Sequence, residues 1–138
     1  LIGIGQIKNS KLRENKFIKY KSLGYNFPNI ISKFAYVSRH AFLKEGNLVC
    51  HGAVINASVV VGSNCIINNQ SLLEHDTIFG NHCHISTGAL INGGVFIGSN
   101  TFIGSGTVVK EGIKIGKNCI VGAGLTIKKN LKSFSTVK

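Results

Sequence analysis

Apolar residues recur along this chain at intervals of six positions from Val37 to Ile127, without a gap. The residue four positions after each is mostly small or β-branched, and glycine or asparagine often follows the apolar residue directly. A period of six fits neither a helix nor a hairpin, and it is typical of a parallel β-helix in which each hexad supplies one strand and one corner. The repeated positions are Val37, Leu43, Val49, Ile55, Val61, Ile67, Leu73, Phe79, Ile85, Ile91, Ile97, Ile103, Val109, Ile115, Val121 and Ile127.

The hexads also predict the size and cross-section of this domain. Three hexads close a triangular coil of 18 residues, and coils stack at about 4.8 Å, the spacing between paired strands. We therefore assign residues 35–138 to an all-β domain of about five coils. Within each hexad, the apolar residue and the fourth residue after it should point inward, the fifth outward, and the second and third should form the corner.

Residues 1–34 lack this period and have the pattern of a partial α/β segment, β-α-β. Residues 1–7 are typical of a buried strand and residues 27–31 of a second one, with a helix over residues 11–22 between them. Ser10 is the expected N-cap, and Gly24 follows the helix end. We expect this segment to cover one end of the β-helix. The apolar helix positions are Leu12, Phe17, Ile18 and Tyr20.

Three of the four cysteines fall in one interior column of the predicted β-helix. Cys65 and Cys83 are 18 residues apart, Cys119 lies 36 further along, and Thr101 fills the missing step. Straight stacking leaves the Cβ atoms slightly too far apart for disulfides, and the chain has no C-x-x-C motif. We therefore expect reduced structural thiols rather than a metal or redox site.

Basic residues are segregated to the two ends of the chain, whose formal net charge is +11. No Lys or Arg occurs between Glu45 and Val109, which indicates a middle section covered by other protein. The basic ends favour anionic partners. The lysines are not interleaved with aromatic residues and show no nucleic-acid-binding spacing, so phosphate groups of a small ligand are the expected anions, and neither nucleic acid nor membrane is an expected partner.

The stretch Glu74-His75-Asp76 places two of the five carboxylates on either side of one histidine. A carboxylate that accepts one ring N–H fixes the tautomer and raises the basicity of the other nitrogen, as a general base requires. In hexad register His75 lies on a corner, whereas His84 points outward from a strand on the opposite side of the coil. One site that uses both must lie between subunits, and a closed trimer is the simplest arrangement. A solvated corner with chance acidic neighbours is the alternative.

The hexads, together with the motifs Cys65-Ile66-Ile67-Asn68, Leu73-Glu74-His75-Asp76 and Gly80-Asn81-His82-Cys83-His84-Ile85-Ser86, resemble the left-handed β-helix acetyltransferases that modify bacterial sugars. Sialic acid O-acetyltransferases and nucleotide-amino-sugar N-acetyltransferases are the most similar groups. The resemblance implies a left-handed helix, and it implies that residues 1–34 are the remnant of an N-terminal acceptor-binding α/β domain. Compared with that family, this chain lacks the first strands of the N-terminal domain, where the nucleotide-sugar binds, and the short tail that follows the β-helix, as a fragment or a trimmed product would.

The resemblance further implies a homotrimer that binds acetyl-CoA in the cleft between neighbouring subunits. His75 would be the general base, Asp76 would orient it with Asn68 nearby, and Glu74 is a second candidate for the orienting carboxylate. His84 of the adjacent subunit would contact the acceptor sugar. The remaining implied contacts are to acetyl-CoA: the Gly93 N–H to the acyl oxygen, Ala123 and Gly124 to the pantetheine, and Lys110, Lys114, Lys117 or Lys128 to the phosphates.

The function expected from this resemblance is direct acetyl transfer to the amino group of a nucleotide-linked amino sugar, by a bacterial cytoplasmic enzyme without a metal. No Ser or Cys stands in a nucleophile setting beside His75, so a base alone would suffice for an activated thioester. O-acetylation of sialic acid by the same mechanism is the first alternative. A zinc carbonic anhydrase using His75, His82 and His84 and a trimeric scaffold without catalytic activity are the others.

Overall fold

The computed structural model describes residues 1–7 and 9–138, which form one helix and eighteen two-residue strands. Every strand supplies one inward and one outward side chain, as the hexads predict. The helix is α1, Lys11–Ser22. The strands are β1 Ile30–Ile31, β2 Tyr36–Val37, β3 Phe42–Leu43, β4 Leu48–Val49, β5 Val54–Ile55, β6 Val60–Val61, β7 Ile66–Ile67, β8 Leu72–Leu73, β9 Ile78–Phe79, β10 His84–Ile85, β11 Leu90–Ile91, β12 Phe96–Ile97, β13 Phe102–Ile103, β14 Val108–Val109, β15 Lys114–Ile115, β16 Ile120–Val121, β17 Thr126–Ile127 and β18 Thr136–Val137.

These strands build three parallel sheets that form the faces of a left-handed β-helix, as the resemblance implies. Sheet A runs in the order β1-β4-β7-β10-β13-β16-β18, sheet B contains β2-β5-β8-β11-β14-β17, and sheet C contains β3-β6-β9-β12-β15. Paired residues are 18 positions apart over most of the helix, as in Leu72 and Leu90. The β-helix makes about six turns rather than the five predicted. The hexad register begins at Ile31, one hexad before Val37, and a further strand that ends at Val137 follows Ile127.

The interior is the predicted ladder of apolar residues. Nearly all ladder positions from Val49 to Val121 are fully buried, and so are the small residues four positions after them. The cysteine column is confirmed: Cys65, Cys83 and Cys119 are buried, and the Cys83 main-chain N–H donates to Cys65 Sγ at 3.4 Å. The contact with the Cys65 side chain, together with burial, raises the pKa of the Cys83 thiol well above its usual range. These thiols are packing groups of the core.

Three columns of corners connect the sheets and carry the polar residues. We name them corner AB (residues 50–52, 68–70, 86–88, 104–106 and 122–124), corner BC (residues 38–40, 56–58, 74–76, 92–94 and 110–112) and corner CA (residues 44–46, 62–64, 80–82, 98–100 and 116–118). The third corner residue often has positive φ, as Asp76 does at 60° and His82 at 57°. Other corner glycines permit close stacking of coils: a Cβ on Gly104 would lie 2.4 Å from the carbonyl carbon of Gly122.

The segment before the β-helix departs from the predicted β-α-β unit. The helix has the predicted bounds, but its Ser10 side chain makes no capping bond, and Asn9 Oδ1 accepts from the Lys11 main-chain N–H instead. Residues 1–7 contain no strand. The expected strand at residues 27–31 is reduced to Ile30–Ile31, which pairs with Leu48–Val49 as the first rung of sheet A. This strand therefore belongs to the β-helix, because its outward–inward alternation continues the hexad register.

Helix α1 packs through a polar residue that the apolar pattern did not indicate. Of the four expected apolar positions only Phe17 is buried, whereas Leu12, Ile18 and Tyr20 are exposed. Arg13 is the other buried residue of the helix, with 1% of its surface exposed. Its guanidinium donates to the main-chain carbonyls of Ile2, Ile4 and Asn64, which fastens the helix and residues 1–7 to the β-helix. Within residues 1–7 and 9–138, no helix combines the length and the apolar character that a membrane span needs.

Candidate active site

The proposed base, His75, projects from corner BC between strands β8 and β9. The ring Nδ1 lies 2.8 Å from Asp76 Oδ2. An ionised carboxylate only accepts hydrogen bonds, so Nδ1 carries a hydrogen, and in the neutral imidazole the lone pair is then on Nε2. The side chains of His75 and Asp76 are 66% and 65% exposed, which leaves Nε2 open to a ligand. Asp76 has a positive φ of 60°, and its carboxylate contacts the preceding ring.

The second carboxylate beside His75 has a different partner. Glu74 Oε2 accepts from Asn56 Nδ2 at 2.9 Å, one coil below on the same corner. It also accepts from the His75 main-chain N–H at 3.4 Å. Glu74 therefore holds the main chain of the corner, and Asp76 is the carboxylate that contacts the imidazole.

Gly93 lies one coil above His75 on corner BC, as the 18-residue spacing predicts. A Cβ at this position would lie 2.7 Å from both Cε1 and Nε2 of His75, so only glycine leaves room for the ring. The Gly94 N–H donates to the His75 carbonyl at 2.9 Å. The Gly93 N–H has no hydrogen-bond partner within residues 1–7 and 9–138, so it is available to a ligand oxygen.

His84 lies on the outer side of sheet A, but residues 1–7 cover it. It is 7% exposed. Its Nδ1 lies 2.5 Å from the Gln6 main-chain oxygen, its Nε2 lies 3.3 Å from Asn68 Nδ2, and its ring packs edge-on against Phe102. Burial lowers the pKa of His84 most; the contact with the Gln6 carbonyl opposes this shift, and the guanidinium of Arg13 adds a smaller lowering.

His82 anchors helix α1 rather than a ligand. Its Nδ1 contacts Asn64 Nδ2 at 2.9 Å, its ring packs edge-on against Phe17, and Glu14 lies 3.9 Å from Nε2. Burial lowers the pKa of His82, while the Glu14 carboxylate opposes this shift.

The remaining candidate residues divide between two sides of the molecule. Lys110 lies on corner BC above Gly93, with its Nζ 3.4 Å from Glu111, and Lys128 follows strand β17. Lys114 points outward from sheet C beside Phe96, and Lys117 lies on corner CA. The other group is on corner AB: Asn68, Ala123 and Gly124.

The expectation that Asn68 lies near His75 is not met within one chain. Asn68 follows strand β7, and strand β8 of sheet B separates it from corner BC; its amide contacts His84 instead. Asn68, His84 and Ala123 line one groove of about 510 Å³ along sheet A and corner AB. The candidate site therefore consists of two halves on opposite sides of the subunit.

The three histidines considered for zinc do not converge. His75 lies on corner BC, His82 on corner CA and His84 on sheet A. Gln6 of the N-terminal segment contacts the main-chain carbonyl of His82 and the ring of His84. Among the residues that the structure describes, no group of three His, Cys, Asp or Glu side chains is placed to hold a metal ion.

Three residues of this region were not among the sequence candidates: Gln6, Arg13 and Asn56. Asn56 stands 18 positions before Glu74, so the coil period could have indicated their contact. Gln6 contacts residues 76 and 78 positions away. It lies outside the hexads, and no periodic signal could have indicated these contacts.

Comparison with known proteins agrees with this fold. Residues 94–129 match the family described as bacterial transferase hexapeptide (six repeats). A histidine-to-asparagine variant of perosamine N-acetyltransferase from Caulobacter crescentus, solved in complex with CoA and GDP-perosamine, is 33% identical with a TM-score of 0.91. The match covers 94% of this chain and 62% of that one.

Two further structures are similar over nearly all of this chain. The acetyltransferase domain of PglB from Neisseria gonorrhoeae, in complex with acetyl coenzyme A, is 29% identical with a TM-score of 0.92, covering 95% of this chain and 64% of that one. WeeI from Acinetobacter baumannii is 27% identical with a TM-score of 0.89 and the same two coverages, 95% and 64%. This chain thus spans less than two thirds of the length of these relatives. The resemblance inferred from the sequence is confirmed: the chain is a left-handed β-helix of hexapeptide repeats that is similar to bacterial sugar N-acetyltransferases.

Proposed function

We propose that this chain is the catalytic part of an acetyl-CoA-dependent acetyltransferase that acts on the amino group of a nucleotide-linked amino sugar. The observation that carries the proposal is the His75–Asp76 pair, whose 2.8 Å contact engages Nδ1 and leaves Nε2 as the free ring nitrogen, close to Gly93. The likeness to enzymes solved with CoA and with GDP-perosamine supports the two substrate classes.

His75 acts as the general base in this proposal. Nε2 takes a proton from the acceptor amine while the nitrogen attacks the thioester carbonyl carbon and a C–N bond forms. The C–S bond then breaks, and the departing thiolate of CoA receives the proton from the imidazolium. Atoms and charges balance without a covalent enzyme intermediate, and general-base assistance of this kind contributes about 10²–10⁴-fold to the rate.

Asp76 and Gly93 support the two charges that develop in this step. The Asp76 carboxylate holds Nδ1–H and stabilises the imidazolium as it forms. The Gly93 N–H, on the same corner, would donate to the oxygen of the attacked carbonyl. Glu74, which Asn56 engages, keeps the main chain of the corner in position.

A homotrimer completes the site. His75 and the Asn68–His84 groove cannot meet within one chain, and the outer faces of sheets B and C expose large apolar side chains that need a cover. Two neighbouring subunits would bring corner BC of one against the groove of the other, with His84 and Asn68 on the acceptor side. The exposed apolar side chains are Tyr36 and Leu90 of sheet B and Phe42, Ile78 and Phe96 of sheet C.

The C-terminal coils supply the remaining contacts to acetyl-CoA. Ala123 and Gly124 form a smooth part of corner AB for the pantetheine, and the lysines of the last two coils meet the phosphates. Lys110 and Lys128 are the first candidates because they lie above Gly93 on the His75 side, and Lys114 is the next. These negatively charged, nucleotide-linked substrates belong to the bacterial cytoplasm, where we place the reaction.

Release of the CoA thiol tests the proposal. Purified protein is given acetyl-CoA and, in turn, nucleotide-linked amino sugars and free sialic acid, and the thiol is titrated with a chromogenic disulfide. We expect turnover with an amino-sugar nucleotide and a loss of about 10²–10⁴-fold in kcat/KM for His75→Ala. Turnover with sialic acid alone would assign the enzyme to O-acetylation.

His40→Ala is the matched control, because His40 is an exposed histidine on corner BC two coils below. It should retain the wild-type rate. Wild-type protein that releases no thiol with any acceptor would overturn the enzyme proposal, and a fully active His75→Ala variant would remove His75 as the base.

A further inference from the structure

The N-terminal segment, residues 1–7, makes two contacts through Gln6: one with His82 on corner CA and one with His84 on strand β10. The Gln6 side-chain Nε2 donates to the main-chain carbonyl of His82 at 2.5 Å. The main-chain carbonyl of Gln6 lies 2.5 Å from His84 Nδ1. Gln6 is 5% exposed, so its carbonyl is held against the imidazole by a buried anchor of its own side chain.

The proton on His84 can be assigned from its two neighbours. A carbonyl oxygen only accepts, so Nδ1 must carry the hydrogen that points to Gln6. On the other side, Asn68 Oδ1 accepts from the Asn69 main-chain N–H at 2.8 Å, which leaves the Asn68 amide nitrogen facing Nε2. An amide nitrogen only donates, so Nε2 must carry a lone pair. The Gln6 carbonyl at one end and the Asn69 N–H at the other thus determine the direction of each hydrogen bond in the series Gln6–His84–Asn68–Asn69.

We infer that Gln6 is a positioning residue that holds His84 as the neutral Nδ1–H tautomer, so that His84 Nε2 serves as a hydrogen-bond acceptor for the ligand in the groove of sheet A. This inference rests on the proposed function for the identity of that ligand as the acceptor sugar. The tautomer itself depends only on the contacts within this chain.

The charges around His84 support a neutral ring. Burial disfavours an imidazolium and lowers the pKa of His84 most, and the buried guanidinium of Arg13 acts in the same direction, against the opposing effect of the Gln6 carbonyl. The acidic residue of helix α1, Glu14, lies by His82 rather than by His84. An imidazolium would also place an N–H against the Asn68 amide, with no acceptor between them.

The assignment of Nε2 as acceptor limits the ligand group that this position can bind. Asn68 and His84 line the same groove, and Nε2 is on the side of Asn68. A phosphate or carboxylate oxygen would meet a lone pair there and be repelled. A hydroxyl or amine of a sugar can donate to it, in place of the Asn68 amide.

Nitrogen NMR of the histidine rings tests the tautomer directly. Protein labelled with ¹⁵N at histidine is examined at neutral pH by long-range ¹H–¹⁵N correlation, and the His84 ring is assigned by its loss in His84→Gln. We expect the Nδ1–H pattern for His84 in the wild type, and loss of a uniform Nδ1–H pattern in Gln6→Ala. Asn81→Ala is the control, because it removes another side-chain bond between coils, from the Ser63 N–H, at corner CA.

Each outcome decides the inference. An Nε2–H or imidazolium pattern in the wild type would overturn the tautomer, and an unchanged pattern in Gln6→Ala would overturn the role of residue 6. The same change in Asn81→Ala would show a general loosening of the fold and also overturn that role.

The ligand assignment is tested by comparing His84→Gln with His84→Leu in the thiol assay. The glutamine carbonyl can still accept, so KM for the sugar should stay within about threefold, whereas leucine should raise it about tenfold, the cost of one hydrogen bond. A matching rise for glutamine, or a rise confined to KM for acetyl-CoA, would overturn the assignment. Failure of the proposed function appears separately, as wild-type protein without turnover, and leaves the NMR result in place.

Discussion

His75 and His84 stand only nine positions apart, yet the protein gives them opposite surroundings. His75 is on an exposed corner, with one carboxylate on Nδ1 and a free Nε2. His84 is covered by residues 1–7 and has partners on both nitrogens. The contrast shows that the hexapeptide repeat can place a histidine in two ways. A corner exposes the imidazole to solvent, whereas the outer face of a strand holds the imidazole against a neighbouring segment.

The difference also separates two kinds of support. His75 depends on its own hexad and on the coils directly above and below it, through Gly93 and Asn56. His84 depends on a segment that is far away in sequence and fastened by Arg13 and Gln6. Substitutions in the two support systems should therefore be distinguishable: one should change chemistry without loosening the fold, and the other should loosen residues 1–7 and helix α1 first.

The largest effect is expected at Gly93, beside the exposed histidine. In Gly93→Ala the new Cβ would lie 2.7 Å from His75 Nε2, so the ring must leave its place beside Asp76. We expect kcat/KM to fall about 10²-fold or more, as for loss of a general base, with an unchanged urea midpoint. The double variant Gly93→Ala/His75→Ala should be no slower than His75→Ala alone. Additive losses would mean that Gly93 acts independently of the ring.

A smaller effect should distinguish the two carboxylates beside His75. Asp76→Asn keeps the shape and tolerates positive φ, but it no longer offers a charge to the imidazolium. We expect a fall of about 10–10²-fold in kcat, larger than for Glu74→Gln, whose side chain contacts Asn56 rather than the ring. Stopped assays of both variants under identical conditions measure this ratio, and an equal or reversed ratio would contradict the assignment of Asp76.

The features that could be predicted from the sequence are those that the period of six controls. Leu73 and Thr77 point inward, His75 lies on a corner and Gly93 lies one coil above it, because coil stacking converts sequence spacing into position. The conformation of residues 1–7 and the burial of Arg13 do not follow from any spacing. An arginine reads as a surface residue on a helix, and it is buried here because main-chain carbonyls of two distant segments need donors.

Substitution of Arg13 should give the next smaller effect, and it should affect the segment that supports His84 rather than the corner that carries His75. In Arg13→Met the apolar stem remains, but the carbonyls of Ile2, Ile4 and Asn64 lose their donor. We expect a local loss of about 3 kcal/mol or more, from two or three bonds to a charged group at about 1.5 kcal/mol or more each. Hydrogen exchange should accelerate in residues 11–22 and remain slow in the strands from β4 to β16. Lys16→Met, an exposed position on the same helix, is the control and should change neither.

The smallest effect is a pH dependence of stability in the region where residues 1–7 and helix α1 cover His82 and His84. The pKa values of His82 and His84 are lowered in the folded state, chiefly by burial, with Arg13 lowering both, Glu14 opposing the shift at His82 and the Gln6 carbonyl opposing it at His84. Below the unfolded value of about 6.5 the unfolded chain binds more protons than the folded one, so stability falls as the pH drops through this range and is fully present above it. The hydrogen-exchange protection factors of helix α1, which correct for the intrinsic pH dependence of amide exchange, should therefore fall between neutral and mildly acidic pH, before those of the core strands. His82→Gln should reduce this slope, whereas His51→Gln, at an exposed corner, should leave it unchanged. An identical slope in the wild type and in His82→Gln would show that the buried ring of His82 is not the source of the pH dependence.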